Sequence, residues 1–505
     1  MPIRDLQGRT VPAELIRSML EYLPPKDRLA LAQASRFEYA FIGPRGRAQD
    51  RVVSAFNQEM AATGELRDES ARYFRVGALS DAVAGLPESA RQAAFDSLRA
   101  GAGALGHEGR RASVLAWMGN AAARSLPEAN RQAAYDDLRA AADTLDFVGD
   151  RATVLAALGP VIAALPEGSR QGEFNNLRAT AGALGHEGLR ANVLTGLCAA
   201  VAGLSEATRQ AAYDDLRAAA GALAFVGDRA KVLVALGPVV ACLPQANRRS
   251  VFDDLRAAAS ALDDDEYKAK VLAGLGQAVA GLPEASRQGA FNGLRAAAAA
   301  LDPEEYRAEV LAGLGAALTG LPAVTRQAAF DGLYHAANSV APEPERADVL
   351  IGLAAAVAGL PQANRQAAFD RLRHAADTFD DGWQRCNLLA GLASAAASLP
   401  DGAHQVAFDG LRATAGTFGD EWHRSVMLSG LGSAVAALPA GTRQAAFDDL
   451  RKDAVALGNV QHRISVLASL GHAAASLPKN EALSQRPPHD PAPRASTPPL
   501  SKHAR

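Results

Sequence analysis

The sequence predicts an all-α protein, a right-handed α-solenoid of stacked helix pairs, and three observations support this fold class. A Leu-Pro step recurs along the chain at intervals of about 39 residues, a period typical of proteins built from stacked copies of one small structural unit. An aromatic residue stands eight positions after each step. Each interval also holds two amphipathic stretches, as a pair of helices requires.

The Leu-Pro step marks the beginning of each repeat. The residue in the proline slot is, in order, Pro87, Pro127, Pro166, Ser205, Pro244, Pro283, Pro322, Pro361, Pro400, Pro439 and Pro478. The aromatic residue that follows is Phe95, Tyr135, Phe174, Tyr213, Phe252, Phe291, Phe330, Phe369, Phe408 and Phe447. These marks define about ten repeats between residues 87 and 477.

Each repeat is expected to form two helices. The first opens at the proline, which suits the first helical position because its missing N–H would be unpaired there in any case. In the second repeat we expect helices over about 127–145 and 151–165, each with an apolar stripe at helical spacing. Pro160 and Pro238 follow a glycine inside the second helix of their repeats and should kink it. Neither helix can bury its stripe alone, so neighbouring repeats must stack.

The ends of the chain follow other patterns. Residues 44–86 resemble a degenerate repeat, as expected of a unit that caps a stack. Residues 478–505 contain many prolines and scattered charges, which predicts a disordered tail. Residues 1–43 carry a separate motif. We therefore divide the chain into a docking motif, a capping repeat, a solenoid and a tail.

Composition and motifs exclude several classes of function. The net charge of −3 gives no overall attraction to nucleic acid or to an anionic membrane, and no apolar run is long enough to span one. The sequence contains no nucleophile elbow, P-loop or metal-ligand cluster. None of the cysteines Cys198, Cys242 and Cys386 lies in the Cys-x-Asp setting of bacterial ubiquitin ligases. We therefore expect a non-catalytic protein with no cofactor and no metal.

The turns between the two helices of a repeat are the candidate surface for binding a target protein. They combine acidic residues with aromatic ones, and aromatic side chains are enriched in binding hot spots. The candidate residues are Asp264, Tyr267, Glu305, Tyr306, Trp383 and Trp422. In an alternative interpretation, the two tryptophans, which lie one repeat apart in the sequence, pack on each other between layers.

A second recurring feature is a pair of charged steps, Arg-Gln and Asp-x-Leu-Arg, that lies along the first helices. Arg131-Gln132 and Asp136 to Arg139 are examples. The steps could form a charged ladder that recognises a partner. We favour a structural role in ion pairs within helices and between repeats, because a specific binding surface should vary from unit to unit.

The segment before residue 41 has an apolar stripe that about thirty residues cannot bury by themselves. It reads Val11-Pro12-Ala13-Glu14-Leu15-Ile16, then Met19-Leu20-Glu21-Tyr22-Leu23-Pro24, then Lys26-Asp27-Arg28-Leu29, then Leu31-Ala32-Gln33-Ala34-Ser35-Arg36. This run resembles the F-box motif over some thirty residues in register. Val11, Arg28, Ala34 and Phe37 depart from the residues usual in that family.

The resemblance implies a function. F-box proteins dock on the Skp-type adaptor of a cullin ubiquitin ligase, and their second domain, often a repeat array, selects the substrate. The resemblance to this family assigns adaptor binding to Val11, Pro12, Leu15, Ile16, Met19, Leu20, Leu23, Pro24, Asp27 and Leu29. The repeats are similar to HEAT or armadillo-like helical repeats. Their Ala, Gly and Arg bias looks bacterial, so the combination resembles F-box effectors that plant-pathogenic bacteria inject into the host cytoplasm or nucleus.

Two other functions remain open. The chain is a pure interaction scaffold if its N-terminal segment merely covers the end of the solenoid and binds no adaptor. Binding of nucleic acid through a helical-repeat code is the third hypothesis, and the negative net charge and acidic turns weigh against it.

Overall fold

The computed structural model describes residues 45–400, 402–459, 462, 463, 465–467, 469 and 470. Throughout this part of the chain the regular structure is helical, with no strand. The predicted adaptor-docking residues between Val11 and Leu29 lie outside the described residues, as does the Pro-rich segment 478–505. The boundaries that we predicted for the two end segments therefore remain predictions.

The described helices alternate in two series, labelled here in chain order. The first helices are α1 (Arg45–Gly64), α3 (Glu88–Gly103), α5 (Glu128–Asp143), α7 (Glu167–Ala183), α9 (Glu206–Gly221), α11 (Arg248–Ser260), α13 (Glu284–Ala299), α15 (Ala323–Asn338), α17 (Gln362–Ala376), α19 (Ala403–Thr417) and α21 (Ala440–Val455). The second helices are α2 (Glu69–Ala82), α4 (Glu108–Ser125), α6 (Val148–Ala164), α8 (Glu187–Val201), α10 (Val226–Leu236), α12 (Asp265–Ala278), α14 (Glu304–Ala317), α16 (Glu343–Ala356), α18 (Gly382–Ala396) and α20 (Glu421–Ala434). Short 3₁₀ segments extend several second helices: Val83–Gly85, Pro238–Cys242, Val279–Gly281, Leu318–Gly320, Val357–Gly359 and Val435–Ala437.

This arrangement confirms the predicted all-α solenoid of about ten helix pairs. The predicted boundaries need two corrections. Pro127 is the N-cap of α5 and not its first helical residue, because its ψ of 145° is extended and Glu128 opens the helix. Helix α6 begins at Val148, three residues before the expected start near Arg151. In five of the eleven described first helices (α3, α5, α7, α9 and α13) a glutamate follows the cap, where it complements the positive end of the helix dipole.

The two internal prolines have different effects. Pro160 lies inside α6, which continues as an α-helix to Ala164, so the helix is not interrupted there, and the kink that we predicted at this residue stays a prediction. Pro238 does end the regular helix: α10 stops at Leu236, and the chain continues as the 3₁₀ segment Pro238–Cys242. A proline has no N–H to donate to the preceding turn, and the tighter 3₁₀ winding is a common response to that loss.

The core is one continuous cluster between the two series of helices. The ten recurring aromatic residues from Phe95 to Phe447 are all at most 6% exposed, as the period predicted. Leu residues from the second helices, such as Leu158 and Leu275, complete each layer and are fully buried. A fully buried aromatic side chain contributes about 2–3 kcal/mol of hydrophobic free energy, so this column is a major source of stability.

The second helices of consecutive repeats pack with their backbones in contact. A Cβ built on Gly159 of α6 would lie 1.9 Å from the carbonyl oxygen of Gly196 in α8. One built on Gly276 of α12 would lie 2.6 Å from the carbonyl oxygen of Gly313 in α14. We call this row of close contacts the glycine seam. Consecutive first helices make few contacts, so the array must curve with its second helices on the inner face.

The glycine seam predicts opposite effects for two glycine-to-alanine changes. In Gly159→Ala the added methyl group meets backbone that can yield only if α6 and α8 separate, and overpacking of this kind costs about 1–3 kcal/mol. In Gly172→Ala, inside α7, the methyl group meets nothing within 4 Å. That variant should gain up to about 1 kcal/mol from helix propensity. Urea unfolding and amide hydrogen exchange across α6–α8 measure both effects. Equal stabilisation by the two changes would contradict the seam.

Candidate partner-binding site

The turns that join the two helices of each repeat lie in a row, which we call the turn edge. It comprises residues 104–107, 144–147, 184–186, 222–225, 261–264, 300–303, 339–342, 377–381, 418–420 and 456–459, with the first turn of each following helix. All six predicted target-binding residues lie on this edge. The structure divides them into two clusters, one at α12–α14 and one at α18–α20.

In seven of the ten second helices, an acidic residue in the first turn accepts hydrogen bonds from the backbone of the next turn. The Glu108 carboxylate accepts hydrogen bonds from the backbone N–H groups of Asp146 and Phe147, each at 3.2 Å. These bonds hold the pKa of Glu108 below its usual value. Glu304 accepts in the same way from Ala341 N–H at 2.8 Å. The recurring acid therefore has a structural role, because it links one repeat to the next. Its recurrence at intervals of about one repeat could have suggested this role.

The predicted acids Asp264 and Glu305 meet around Tyr306. Asp264 is the N-cap of α12 and accepts from the N–H of Glu266 at 2.9 Å. Burial, followed by the charges of Glu305, Glu266 and Asp264, raises the pKa of Tyr306. The acids of two consecutive turns thus surround one half-buried phenol. Tyr267, like Tyr306, packs against the core, and the Lys270 ammonium lies 5.4 Å from its ring centroid.

Trp383 and Trp422 form the second cluster. Their rings stack with centroids 4.4 Å apart and an angle of 25° between their planes. The alternative interpretation, that the two indoles pack on each other, is therefore correct. Trp383 nevertheless keeps 47% of its surface exposed, whereas Trp422 is half-buried. The structure thus shows a stacked pair whose outer ring is open to a partner.

The aspartates before each tryptophan fix the start of its helix. Asp381 accepts a hydrogen bond from the Trp383 N–H at 2.6 Å, and Asp420 accepts from the Trp422 N–H at 2.8 Å. Asp420 also accepts from the His423 N–H, and these backbone bonds lower its pKa. Both carboxylates remain exposed, so the indole pair is bordered by negative charge.

Two exposed aromatic residues on the turn edge were not predicted as surface residues from the sequence. Phe147 and Phe225 are the N-caps of α6 and α10 and are 66% and 58% exposed. Both belong to the Phe-Val-Gly-Asp stretch that occurs in two repeats. A phenylalanine just before a helix, outside both apolar stripes, was the signal that could have identified them as surface residues.

The arginine of the Arg-Gln step is not part of a recognition ladder, and where both of its bonds are described it donates to backbone carbonyls instead of the carboxylates that we had expected. Arg287 donates from Nε to the Leu282 carbonyl at 2.8 Å and from Nη1 to the Gly320 carbonyl at 2.9 Å. It therefore joins the ends of two consecutive second helices. The same pair of bonds is made by Arg91, Arg131, Arg170, Arg209, Arg248, Arg326 and Arg365. We call these residues the arginine clamps. Carbonyls at helix ends lack intrahelical donors, which explains the preference for them.

The Asp-x-Leu-Arg step does make ion pairs between repeats. Its arginine Arg99 lies 2.6 Å from Asp137 of the next first helix. Arg178, which ends the equivalent Asn175-Asn176-Leu177-Arg178 stretch, lies 2.9 Å from Asp215. Such exposed pairs contribute at most about 1 kcal/mol each. Most charged side chains that recur in every unit thus have a partner inside the array.

The described residues contain neither a candidate metal site nor a helix that could span a membrane. Within them, no group of three or more His, Cys, Asp and Glu side chains is placed to hold a metal ion. None of the helices in this part of the chain combines the length and apolar character that a bilayer span requires.

No family model and no curated protein sequence matches the chain. Among solved structures it is similar to importin beta in an ammonium sulfate condition, with 13% identity, a TM-score of 0.44, and coverage of 94% of this chain and 64% of that one. Kap121p bound to Nup53p matches with 11% identity and a TM-score of 0.39, over 90% of this chain and 48% of that chain. An engineered protein matches with 14% identity and a TM-score of 0.28, over 83% and 99%. The chain spans about half the length of the Kap121p chain.

The arginine clamps predict a stability effect that two adjacent residues should separate. Arg287→Ala removes two charge-assisted hydrogen bonds to carbonyls, and each such bond contributes about 1.5–3 kcal/mol. Gln288→Ala removes an exposed bond to Asn292 and should change stability by less than about 0.5 kcal/mol. Differential scanning calorimetry of the two variants tests this. The assignment is wrong if Arg287→Ala unfolds at the same temperature as Gln288→Ala.

Proposed function

We propose that the chain is a non-catalytic helical-repeat protein that binds a protein partner at the tryptophan pair of its turn edge. The exposed outer ring of the stacked Trp383–Trp422 pair carries this proposal. Most of the recurring charged side chains hold neighbouring repeats together, which supports a binding role for residues that depart from the repeat.

The geometry of the tryptophan pair suits a hot spot. Stacking on Trp422 fixes the Trp383 ring before binding, so little side-chain entropy is lost when a partner covers it. The ring is large and apolar, and tryptophan is among the residues most enriched in hot spots. The exposed carboxylates of Asp380, Asp381 and Asp420 flank it. An arginine or lysine of the partner would therefore find both an aromatic face and a counter-charge.

Removal of the outer indole should reduce partner binding more than it reduces stability. Truncation of a hot-spot residue costs about 2 kcal/mol or more, so Trp383→Ala should weaken the complex about thirtyfold. Loss of the stacked pair costs only about 0.5–1.5 kcal/mol of stability. Trp383→Ala combined with Trp422→Ala should abolish capture. Co-purification from host lysate, quantified by mass spectrometry, measures the effect.

Phe225→Ala is the matched control, since it removes another exposed aromatic residue from the same edge, several repeats away. Proteins that depend on the tryptophan pair should be lost in Trp383→Ala and kept in Phe225→Ala. The proposal fails if the two variants capture the same proteins in the same amounts. A large fall in melting temperature for Trp383→Ala alone would instead assign the pair a purely structural role.

A more specific function is suggested by the F-box-like run between Val11 and Arg36. We propose that this run recruits a host Skp-type adaptor and its cullin ligase, so that the bound partner becomes a ubiquitination substrate. The chain would then act as an effector delivered by a bacterium into the host cytoplasm or nucleus. Only the sequence run supports this proposal, whereas the scaffold function requires the solenoid alone.

The adaptor proposal makes a separate prediction. Replacement of both Leu15 and Ile16 by alanine removes two apolar side chains from the expected centre of the contact. Two hot-spot losses of about 2 kcal/mol should reduce affinity for the adaptor on the order of a thousandfold. The solenoid should keep its melting temperature, because its repeats depend only on their neighbours. Copurification with purified Skp-type adaptor tests this. If the unmodified chain binds no host adaptor, the scaffold function stands without ligase recruitment.

A further inference from the structure

A second surface lies on the inner face of the array and meets the turn edge only at Gly227 and Tyr267. A groove of about 650 Å³ crosses the second helices α8, α10, α12 and α14. We call it the inner groove. Its floor is made mainly of small side chains, among them Ala235, Ala273, Gly274 and Gly313, with Val234 and Gln277 beside them. A floor of small residues allows the backbone of a bound peptide to come close to the helices.

The groove lies where the glycine seam is looser than it is between α12 and α14. Regular α10 ends at Leu236, and Pro238 begins the 3₁₀ segment. A Cβ on Gly237 would lie 3.3 Å from the Gly274 carbonyl oxygen, compared with 2.6 Å between the equivalent Gly276 and Gly313. Helices α10 and α12 therefore approach each other less closely than α12 and α14. The irregular end of α10 gives a physical reason for a groove at this point in the stack.

An ordered row of charges begins along one side of the inner groove, at Lys231, Lys270 and Glu309, and continues one helix beyond it. Lys231, Lys270, Glu309 and Asp348 occupy the same position in α10, α12, α14 and α16, each one repeat after the one before. We call these four residues the charge row. Neutral side chains hold this position in the flanking repeats: Thr153, Asn192, Asn387 and Val426. Two cations followed by two anions thus stand at the middle of the array.

Among the described residues, three of the four side chains of the charge row make no ion pair within the protein. Glu309 and Asp348 have no ion-pair partner within 4 Å among the described residues, and burial raises the pKa of both carboxyls. Lys231 donates to the amide oxygen of Asn192 and has no carboxylate within ion-pair distance in the same part of the chain. Lys270 is paired with Glu266 of its own helix, an exposed contact that contributes little to stability and leaves the ammonium accessible to a peptide carboxylate. The arginine clamps differ, because each of them donates hydrogen bonds to backbone carbonyls at the ends of two consecutive second helices.

The spacing of the row matches an extended peptide. Packed helices lie about 8–10 Å apart, so consecutive charges of the row are separated by about that distance. A peptide in the extended polyproline II conformation advances about 3.1 Å per residue with three residues per turn, so three residues span one repeat and every third side chain points to the same side. We propose that the inner groove binds an extended protein segment with two acidic residues three positions apart, followed at the same spacing by two basic residues. The acids face Lys231 and Lys270, and the bases face Glu309 and Asp348.

The order of the charged residues along the peptide, and not the net charge of the peptide, is the basis of this recognition. The row has no net charge, so a peptide with the same composition but alternating signs places like charges opposite each other at two of four positions. Juxtaposed like charges at an interface are strongly unfavourable. The hydrogen-bonding side chains of Thr195 and Gln277 lie within the groove and suit the backbone of the bound segment. This site is independent of the tryptophan pair.

Two peptides of identical composition test the proposal on the full chain by fluorescence anisotropy. The first is ten residues long, with glutamate at its first and fourth positions, lysine at its seventh and tenth, and serine or threonine elsewhere. The second has the same charges in alternation. The ordered peptide should bind at least about tenfold more tightly. Equal affinities, or no binding of the ordered peptide, would overturn the proposal.

Charge reversal in the protein supplies the second half of the test. Lys231→Glu with Lys270→Glu should weaken binding of the ordered peptide at least about tenfold. Lys452→Glu, an exposed residue of α21 outside the groove, is the matched control and should leave binding unchanged. Circular dichroism checks that all variants keep their helix content. Trp383→Ala should also bind the ordered peptide normally, which separates this site from the tryptophan pair. A loss with Lys452→Glu equal to that of the double variant would indicate nonspecific attraction and refute the inference.

Discussion

The close approach of consecutive second helices is the constraint on which the rest of the structure depends. Glycine or another small residue stands wherever one second helix crosses the next, as at Gly159 against Gly196 and Gly276 against Gly313. The first helices carry the bulky aromatic column and cannot approach as closely. Curvature follows from this difference, and curvature separates an inner face of small side chains from an outer face of longer ones.

The other recurring contacts secure this geometry on either side of the seam. The arginine clamps join the ends of consecutive second helices, and the first-turn acids join the starts of the same helices to the next turn. A repeat that carries both contacts is thus held at both ends and along its middle. Stability in such an array is roughly the sum of contacts between neighbours. Local departures are therefore tolerated: His404 stands where a clamp arginine is expected, and the helix pairs continue past it.

The sequence was sufficient to predict the fold but only part of the site. The period, the apolar stripes and the aromatic at Phe95 and its equivalents predicted the helix pairs and their core, because burial follows directly from periodicity. The glycine seam and the clamps could not be predicted this way. Both depend on contacts between residues that are nearly one repeat apart in the sequence. The periodicity within a single helix does not show which residues of the next repeat it will contact. The stacking of Trp383 on Trp422 was foreseen as an alternative, whereas the exposure of Phe147 was not.

A repeat protein reveals its binding surfaces through the residues that break the repeat. A side chain that recurs in every unit, such as Arg287, is explained by contacts that every unit shares. The tryptophan pair and the charge row occur in only a few units, at positions where the other repeats carry different residues. The fold does not require them there, since neighbouring units stack equally well without them. Their exposure and their incomplete pairing are then best explained by a partner, and the two sites differ enough in chemistry to bind different segments.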